Sequence, residues 1–236
     1  MKPHAEFDQF AKDYDRHLSW LRLTGENKDY YASGRVQWLS RALAALGVTP
    51  RLVMDFGCGT GGSVAPLFDL LGSESVVGVD VSPASLDVAR ATHPTRGTFL
   101  HVDNYEPQGT LDLIHTSCAF HHIPPSEREG AATYLYRALR DGGVLAFWEN
   151  NPWNPIVRFA MAHAAIDRNA VPINPRAAQR LLRSVGFKVL YTDFAFFFPR
   201  ALQILRGLES GMAFVPLGAQ YCVFARKPSV SASQGM

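Results

Sequence analysis

The residues with the clearest chemical potential form a glycine-rich loop, VMDFGCGTGG. Gly57, Gly59 and Gly62 fit the dinucleotide-binding spacing G-x-G-x-x-G, while Asp55 begins a second pattern, D-x-G-x-G-x-G, that ends at Gly61. Either pattern, placed between a strand and a helix, lets an anionic group approach main-chain N–H groups at the positive end of the helix. The loop therefore predicts a nucleoside-bearing cofactor, but it does not choose between two cofactor classes.

Two further groups of polar residues follow the ends of predicted strands. Asp80 ends the next strand candidate, at the distance of about 20 residues from the loop at which an acid commonly binds ribose hydroxyls. His121 and His122 follow the fourth strand candidate, and histidine, with a pKa near 6.5, suits general-base chemistry. Ligands in such sheets lie outside the carboxyl ends of the strands, so the pair is predicted to face the ligand. One histidine could instead pack beneath the cofactor.

The elements that must position these residues alternate along the chain. Short apolar runs predict buried strands: LVMDF, SVVGVDV, GTFLHVD, LDLIHTS, GGVLAFWEN, FKVLYTDF and QYCVFARKP. Between them, helices are predicted over Gly62–Leu71, Ser82–Ala91, Pro125–Leu139 and Pro175–Val185. Gly142-Gly143 and Gly186 are predicted to end the last two of these helices. The alternation predicts a doubly wound, Rossmann-like α/β fold with a mostly parallel sheet.

The domain organisation follows from the same pattern. Residues 1–50 are predicted to form a helical cap, and residues 51–228 the α/β domain. Residues 150–174 and 195–219 exceed ordinary connection lengths and are predicted to be lids or walls of a binding site. Helices that pack on the edge of the sheet are an equally good interpretation of both. The tail, 229–236, is predicted to be flexible.

Composition excludes several classes of function. The net charge of +2 and the pI near 8.5, without a long basic run, give no electrostatic case for a nucleic-acid partner. Cys58, Cys118 and Cys222 are far apart and odd in number, which is typical of reduced thiols. No secretory signal and no apolar run of membrane-spanning length is found, so a soluble cytoplasmic protein is expected. The sequence has no compact cluster of carboxylates, so no metal site is predicted.

Together these segments resemble the motifs of the class I S-adenosylmethionine-dependent methyltransferases, in their small-molecule branch. The resemblance rests on VMDFGCGTGG, VVGVDVSPASLDVAR, FLHVDNYEP, LDLIHTSCAFHHIP, LRDGGVLAFWENN and, near the N-terminus, FDQFAKDYD. It covers roughly residues 7–228 and is more specific than the glycine pattern alone. It implies a seven-stranded sheet, with the last strand inserted antiparallel beside the sixth, and helices on both faces.

The resemblance also implies that S-adenosyl-L-methionine is the cofactor. The methionyl carboxylate would lie against the N–H groups of the loop, and Asp55 would fix the loop or contact the methionyl ammonium. Asp103 would accept a hydrogen bond from the adenine amino group, and the backbone of Asn104 would contact the edge of the adenine ring. Asp103 could instead cap a turn. The predicted cofactor-binding residues are Tyr14, Asp55, Gly57, Cys58, Gly59, Gly61, Asp80, Val81, Asp103, Asn104 and Ser117.

On the acceptor side, methyl transfer from a sulfonium requires alignment of donor, methyl and acceptor, so positioning is the main task. His121, slightly ahead of His122, is the predicted base for an oxygen acceptor. Glu149 and Asn151 could hydrogen-bond a polyhydroxylated acceptor on whose face Trp153 stacks. The same residues, in WENNPWNP, could instead form a turn with a core tryptophan.

A helix is also predicted after Pro199, with Arg200 and Arg206 away from an apolar stripe. The stripe consists of Ala201, Leu202, Leu205 and Leu208. A lid that packs on its own domain or a dimer interface is the favoured interpretation. A site for a lipid-linked or aromatic acceptor and contact with a membrane surface are the alternatives. Arg200 could bind a phosphate or carboxylate of the acceptor.

The sequence therefore predicts methyl transfer to a small molecule, most readily at oxygen, with a natural product, a sugar or a lipid-linked intermediate as the acceptor. An RNA or protein acceptor is one alternative. A non-catalytic subunit that binds S-adenosylmethionine and stabilises a partner is another. The chain is expected to be a monomer or a homodimer.

Overall fold

A computed structural model describes residues 24–229 together with Phe7, Asp8 and Ala11. Its centre is one seven-stranded sheet in the order β3-β2-β1-β4-β5-β7-β6. The strands are β1 (Leu52–Phe56), β2 (Ser75–Asp80), β3 (Thr98–His101), β4 (Leu111–Ser117), β5 (Leu139–Asn150), β6 (Lys188–Ala195) and β7 (Gln220–Arg226). Neighbouring strands pair in parallel except β7, which pairs antiparallel with both β5 and β6. The predicted fold and the antiparallel last strand are confirmed.

Six α-helices accompany the sheet in the described part of the chain. They are α1 (Lys28–Ala45), α2 (Val64–Leu71), α3 (Pro83–Thr92), α4 (Arg128–Ala138), α5 (Pro155–His163) and α6 (Pro175–Ser184). Four of them begin at a side-chain cap that accepts a hydrogen bond from an N–H of the first turn; the capping residues are Asn27, Ser82, Asn154 and Asn174. A proline follows each of the last three caps, which the fixed φ of proline favours.

Both faces of the sheet are covered by apolar side chains. On one face, Leu39 of α1 and Leu67 of α2 pack against a cluster that includes Trp148 of β5. On the other, Leu135 of α4 and Leu182 of α6 pack against the alternate residues of the same strands. Because the central strands are buried on both sides, their sequences read as nearly continuous apolar runs. None of the described helices has the length and apolar character that crossing a membrane would require.

The predicted end of α4, Leu139, is one residue past the observed end, but the glycine pair does not terminate the helix. The helix ends at Ala138, and β5 begins at Leu139, ahead of the glycine pair that was expected to terminate the helix. Leu139 is already extended and pairs with Leu111 of β4, while the N–H of Gly142 donates to the carbonyl of Lys227. Strand pairing therefore extends β5 through the glycines, which a local turn signal could not show.

The segment after Pro199 also differs from the prediction. Arg200–Met212 form a 3-10 helix with a non-helical residue at Leu202, and not a regular amphipathic α-helix. Leu202, Leu205 and Leu208 of the predicted stripe are exposed, so the expectation that the stripe packs on its own domain is wrong. The polar contacts that hold this segment instead are described below.

Candidate cofactor and acceptor site

A cavity of about 250 Å³ lies at the carboxyl ends of β1, β2 and β4. Its walls include five of the residues predicted to bind the cofactor: Gly57, Gly59, Asp80, Val81 and Ser117. Parallel strands bring their carboxyl ends to one edge of the sheet, which is where ligands of this fold class bind. The structure therefore brings the glycine loop and the predicted ribose-binding acid into one cavity.

The glycine loop has a backbone that side chains would disturb. Gly57 has φ of +72°, and a Cβ added there would lie 2.6 Å from the Cβ of Ala119. The N–H groups of Gly57 and Cys58 donate to the carbonyl of Val79, which ties the loop to β2. Glycine is required at this position both for the left-handed conformation and for the close approach of the loop after β4.

Asp80 links the loop to the start of α3. One carboxylate oxygen accepts a hydrogen bond from the N–H of Gly59 at 2.8 Å, and the other accepts from the N–H of Ser82 at 2.9 Å. Burial raises the pKa of Asp80, and the bonds from the N–H groups oppose that rise. A carboxylate has about four acceptor positions, so Asp80 keeps capacity for ribose hydroxyls.

Asp55 lies behind the loop and not in the cavity wall. It is buried, and burial raises the pKa of its carboxyl to about 7, against the lowering effect of the charge of Arg35 on α1. Its neighbour in the sheet register is His115, whose two ring nitrogens have no hydrogen-bond partner. Whether Asp55 fixes the loop or contacts the methionyl ammonium stays a prediction.

Four other residues predicted to bind the cofactor lie around the cavity without lining it. Cys58 is buried, and the carbonyl of Gly61 is 3.0 Å from Nε2 of His93. Asp103 and Asn104 have exposed side chains in the 3-10 turn Val102–Asn104, of which Val102 alone lines the cavity. Contacts of Asp103 and Asn104 with adenine therefore remain a prediction.

The described residues near the N-terminus reach the same cavity. Phe7 lines it, and the ring of Phe7 meets that of His122 edge to face at a centroid distance of 5.0 Å. Asp8 accepts a hydrogen bond from the hydroxyl of Ser82 at 2.6 Å, at the cap of α3. The N-terminal cap over the cofactor site stays a prediction, and Tyr14 lies outside the described residues.

The two histidines after β4 occupy different positions. His121 is buried, with Nδ1 at 2.5 Å from Glu149 Oε2 and Nε2 at 3.4 Å from Asp167 Oδ1. His122 lines the cavity, and its Nε2 lies 3.6 Å from the same oxygen of Asp167. The other oxygen of Glu149 accepts hydrogen bonds from the N–H groups of Phe120 and His121, which fixes the turn that carries both rings.

These surroundings move the two pKa values in opposite directions. Burial lowers the pKa of His121, but the charge of Glu149 and the hydrogen bonds to Asp167 and Glu149 outweigh it and raise the pKa to about 10. Burial, together with the positive charge of His121, lowers the pKa of His122 to about 2. The raised pKa of His121 keeps that ring protonated at neutral pH, whereas the lowered pKa of His122 keeps that ring neutral.

Donor atoms of His121, His122 and Asp167 lie within 4.8 Å of one another, a spacing that a metal ion could use. It is the one such group among the described residues, and none was predicted from the sequence. Both ring nitrogens of His121 already face a carboxylate, Nδ1 that of Glu149 and Nε2 that of Asp167.

The four residues predicted to bind the acceptor lie outside the cavity wall, although all are described. Glu149 is buried beneath His121, and the side-chain amide of Asn151 donates to the carbonyls of Pro216 and Gly218. Trp153 stacks with Phe194 at 6.2 Å, under the guanidinium of Arg176. Arg200 is exposed at the start of the 3-10 helix. Because Glu149 and Asn151 are used internally, their contribution here is to position other groups.

Sequence reasoning missed Asp167, Ala119 and Phe7. Asp167 belongs to the short 3-10 helix Ala165–Asp167, in a segment far from the histidines along the chain, and no local pattern marked it. Ala119 forms the wall opposite Gly57, which only the approach of two loops reveals. Phe7 could have been found, because it belongs to the N-terminal motif on which the resemblance rests.

Comparison with known proteins finds a match in the part of the chain that carries the glycine loop and the histidines. The family model described as "Methyltransferase domain" matches residues 53–143, from β1 into β5, and this range contains the glycine loop, Asp80 and both histidines. Residues 53–143 of this chain thus match the model of a methyltransferase domain. The predicted resemblance to the S-adenosylmethionine-dependent methyltransferases is confirmed over this part of the chain, and the comparisons support the predicted cofactor.

The relatives of this methyltransferase domain are similar over part of their length. A trans-aconitate 2-methyltransferase from Methylobacterium radiotolerans is 36% identical over 138 residues, which are 57% of this chain and 52% of that protein. One from Deinococcus radiodurans is 37% identical over 94 residues, 40% of this chain and 36% of that protein. This chain thus spans about half or less of the length of these curated relatives.

Solved structures share the fold over more of the chain. A possible histamine N-methyltransferase from Thermotoga maritima has a TM-score of 0.67 at 18% identity and covers 95% of this chain and 99% of its own. The cyclase SpnF has a TM-score of 0.56 at 18% identity and covers 81% and 80%. Because one of these neighbours is named a cyclase, the fold alone does not decide the reaction.

Proposed function

We propose that this methyltransferase domain transfers the methyl group of S-adenosyl-L-methionine to an acidic oxygen of a small-molecule acceptor. The observation that carries the proposal is His122, a neutral imidazole in the cavity wall beside the protonated His121. The proposal retains the prediction of an oxygen acceptor. It places His122, and not His121, beside that acceptor.

The cavity fits the proposed cofactor in two ways. The glycine loop presents N–H groups and leaves the space that a side chain at Gly57 would fill, and Asp80 offers carboxylate oxygens at the neighbouring strand end. The bound cofactor would supply an activated methyl group on a sulfonium. The methionyl end would lie at the loop and the ribose at Asp80. The wall from Ser117 to His122 then remains for the acceptor.

The chemistry of His122 restricts the acceptor. A neutral imidazole with a lowered pKa is a weak base, so proton transfer to it from an ordinary alcohol would be uphill. An acidic oxygen, such as that of a carboxylic acid, either loses its proton easily or arrives ionised. His122 then has to align it, and alignment is what direct displacement needs. The trans-aconitate 2-methyltransferases among the relatives are named for a carboxylic acid, which supports this class of acceptor.

Product analysis can test the proposal. The purified chain would be incubated with S-adenosylmethionine and a panel of carboxylic acids, with the corresponding alcohols and amines as matched controls. We expect acids to gain one methyl group as an ester that mild alkali removes. Methylation of an alcohol or amine but of no acid would contradict the proposed acceptor class while leaving methyl transfer itself intact.

Two other functions can be tested on the same purified chain. An RNA acceptor would require binding that weakens steeply as salt is raised, and the low net charge argues against it. A non-catalytic subunit would bind the cofactor but transfer no methyl group to any compound of a metabolite extract. Neither alternative has a specific observation in its favour among the described residues.

A further inference from the structure

Exposed apolar side chains are concentrated in two segments, 150–174 and 195–219. Ten of the thirteen large apolar side chains that the described residues expose lie in them, four in the first segment and six in the second. The most exposed are Ile204 at 90%, Phe214 at 80% and Ile156 at 69%. Single exposed apolar residues are ordinary, but a concentration in two segments indicates an interaction surface.

The two segments are tied side by side. The side-chain amide of Asn151 donates to the carbonyls of Pro216 and Gly218, and that of Asn154, at the cap of α5, donates to the carbonyl of Leu217. Ile156, in the first turn of α5, therefore lies close to the exposed Leu217. We call the surface formed by the exposed residues of both segments the apolar face.

Polar contacts hold the second segment in place. The buried carboxylate of Glu209 accepts hydrogen bonds from the N–H groups of Phe196, Phe197 and Phe198, at 3.1 to 3.2 Å. Arg206 pairs with Glu26 at 2.7 Å and lies over the ring of Tyr30. Because these contacts are made by polar groups, the leucines and Ile204 of the 3-10 helix stay directed to solvent.

The charges on the apolar face have one sign. Arg158, Arg168 and Arg200 are exposed in the two segments. The acidic residues of the two segments are Asp167 and Glu209. The carboxylate of Asp167 faces the histidines, and that of Glu209 accepts hydrogen bonds from the backbone. Both segments lie wholly within the described residues, so the face combines exposed apolar side chains with arginine and with no exposed acid.

We propose that the apolar face docks on an anionic lipid surface. Apolar side chains of a surface-lying element enter the boundary between headgroups and acyl chains, while arginines bind the lipid phosphates. A symmetric second copy fits less well, because a two-fold interface would bring together two surfaces that both expose arginine and no acid. The proposal concerns where the protein binds and holds whichever acceptor is methylated.

Vesicle sedimentation tests the proposal directly. The whole chain would be mixed with vesicles of phosphatidylcholine alone, or of equal parts phosphatidylcholine and phosphatidylglycerol, at low and high salt. We expect it to sediment with the anionic vesicles, to do so less at high salt, and to stay in solution with the neutral ones. No sedimentation with anionic vesicles at low salt would overturn the proposal.

Paired variants assign the binding to this face. Replacing Ile204 and Phe214 by serine should weaken binding at least about tenfold, because two apolar side chains no longer enter the lipid. Changing Arg158 and Arg168 to glutamate should weaken it by at least about tenfold as well, through lost attraction to the phosphates. Leu70→Ser, at a leucine exposed by 42% on α2, is the matched control and should bind like the unchanged chain.

Two results would contradict the assignment. Binding that neither paired variant weakens, in proteins whose thermal melting is unchanged, would place the lipid contact elsewhere. Light scattering that shows a dimer which the Ile204 and Phe214 variant dissociates, without vesicle binding, would show that a second copy covers the face.

Discussion

At the scale of single residues, Asp80 joins the glycine loop to the start of α3 and is the acid closest to the proposed ribose position. Asp80→Asn should weaken the binding of S-adenosylhomocysteine about 10- to 100-fold, since it removes a charged acceptor of hydrogen bonds. Asp87→Asn, an exposed acid on α3 that pairs with Arg90, is the control and should bind normally. Similar losses in both variants would show a general effect of charge.

His122 is the residue on which the proposed chemistry depends. His122→Gln should lower kcat about 100-fold or more while the KM for S-adenosylmethionine changes little, because His122 lies in the part of the cavity wall that is proposed to align the acceptor. Since the pKa of His122 is lowered to about 2, the activity of the unchanged chain should show no loss from protonation of this group between pH 5 and 8. A proportional rise in KM for the cofactor would assign His122 to cofactor binding instead.

His121 is predicted to act on stability. Its folded pKa of about 10 exceeds the unfolded value near 6.5, so its contribution is fully present below pH 6.5 and is lost as the pH rises through 10. His121→Ala should lower the free energy of unfolding by about 3–5 kcal/mol at pH 7, because the buried carboxylate of Glu149 would lose its positively charged partner. Urea unfolding at pH 6, 8 and 10 measures both effects. Equal pH dependence in the variant and in the unchanged chain would contradict the ion pair.

At the scale of elements, Glu209 anchors the 3-10 helix to the end of β6. Glu209→Gln leaves a neutral group where a carboxylate accepted three N–H bonds, and we expect faster amide hydrogen exchange confined to residues 196–212. Glu129→Gln, an exposed acid in the first turn of α4, should leave that exchange unchanged. Unchanged protection in the Glu209 variant would show that other contacts hold the segment.

The elements also show what sequence could predict. The seven strands and four of the helices were found because apolar periodicity and caps are local, and the antiparallel position of β7 came from the resemblance. The 3-10 helix was predicted as an ordinary amphipathic helix, because its conformation depends on Glu209 reaching the backbone of another segment. Likewise, the pKa values of His121 and His122 depend on Asp167, which is distant in sequence.

At the scale of the whole molecule, the cavity at the strand ends and the apolar face have separate tasks. The first holds the proposed cofactor and acceptor between the glycine loop and His122, and the second is proposed to meet a lipid surface. The segment 150–174 belongs to both, since it contributes Asp167 to the histidines and Ile156 to the face. Ile204 and Phe214 lie outside this shared segment, so replacing them by serine should weaken lipid binding and leave methyl transfer to a dissolved acceptor intact.

Isothermal titration calorimetry with S-adenosylhomocysteine tests the central claim most directly. The account predicts saturable binding at a single site per chain, which Asp80→Asn weakens and Asp87→Asn does not. Absence of binding to the folded, purified chain would contradict the assignment of the cavity, and with it the proposed methyl transfer.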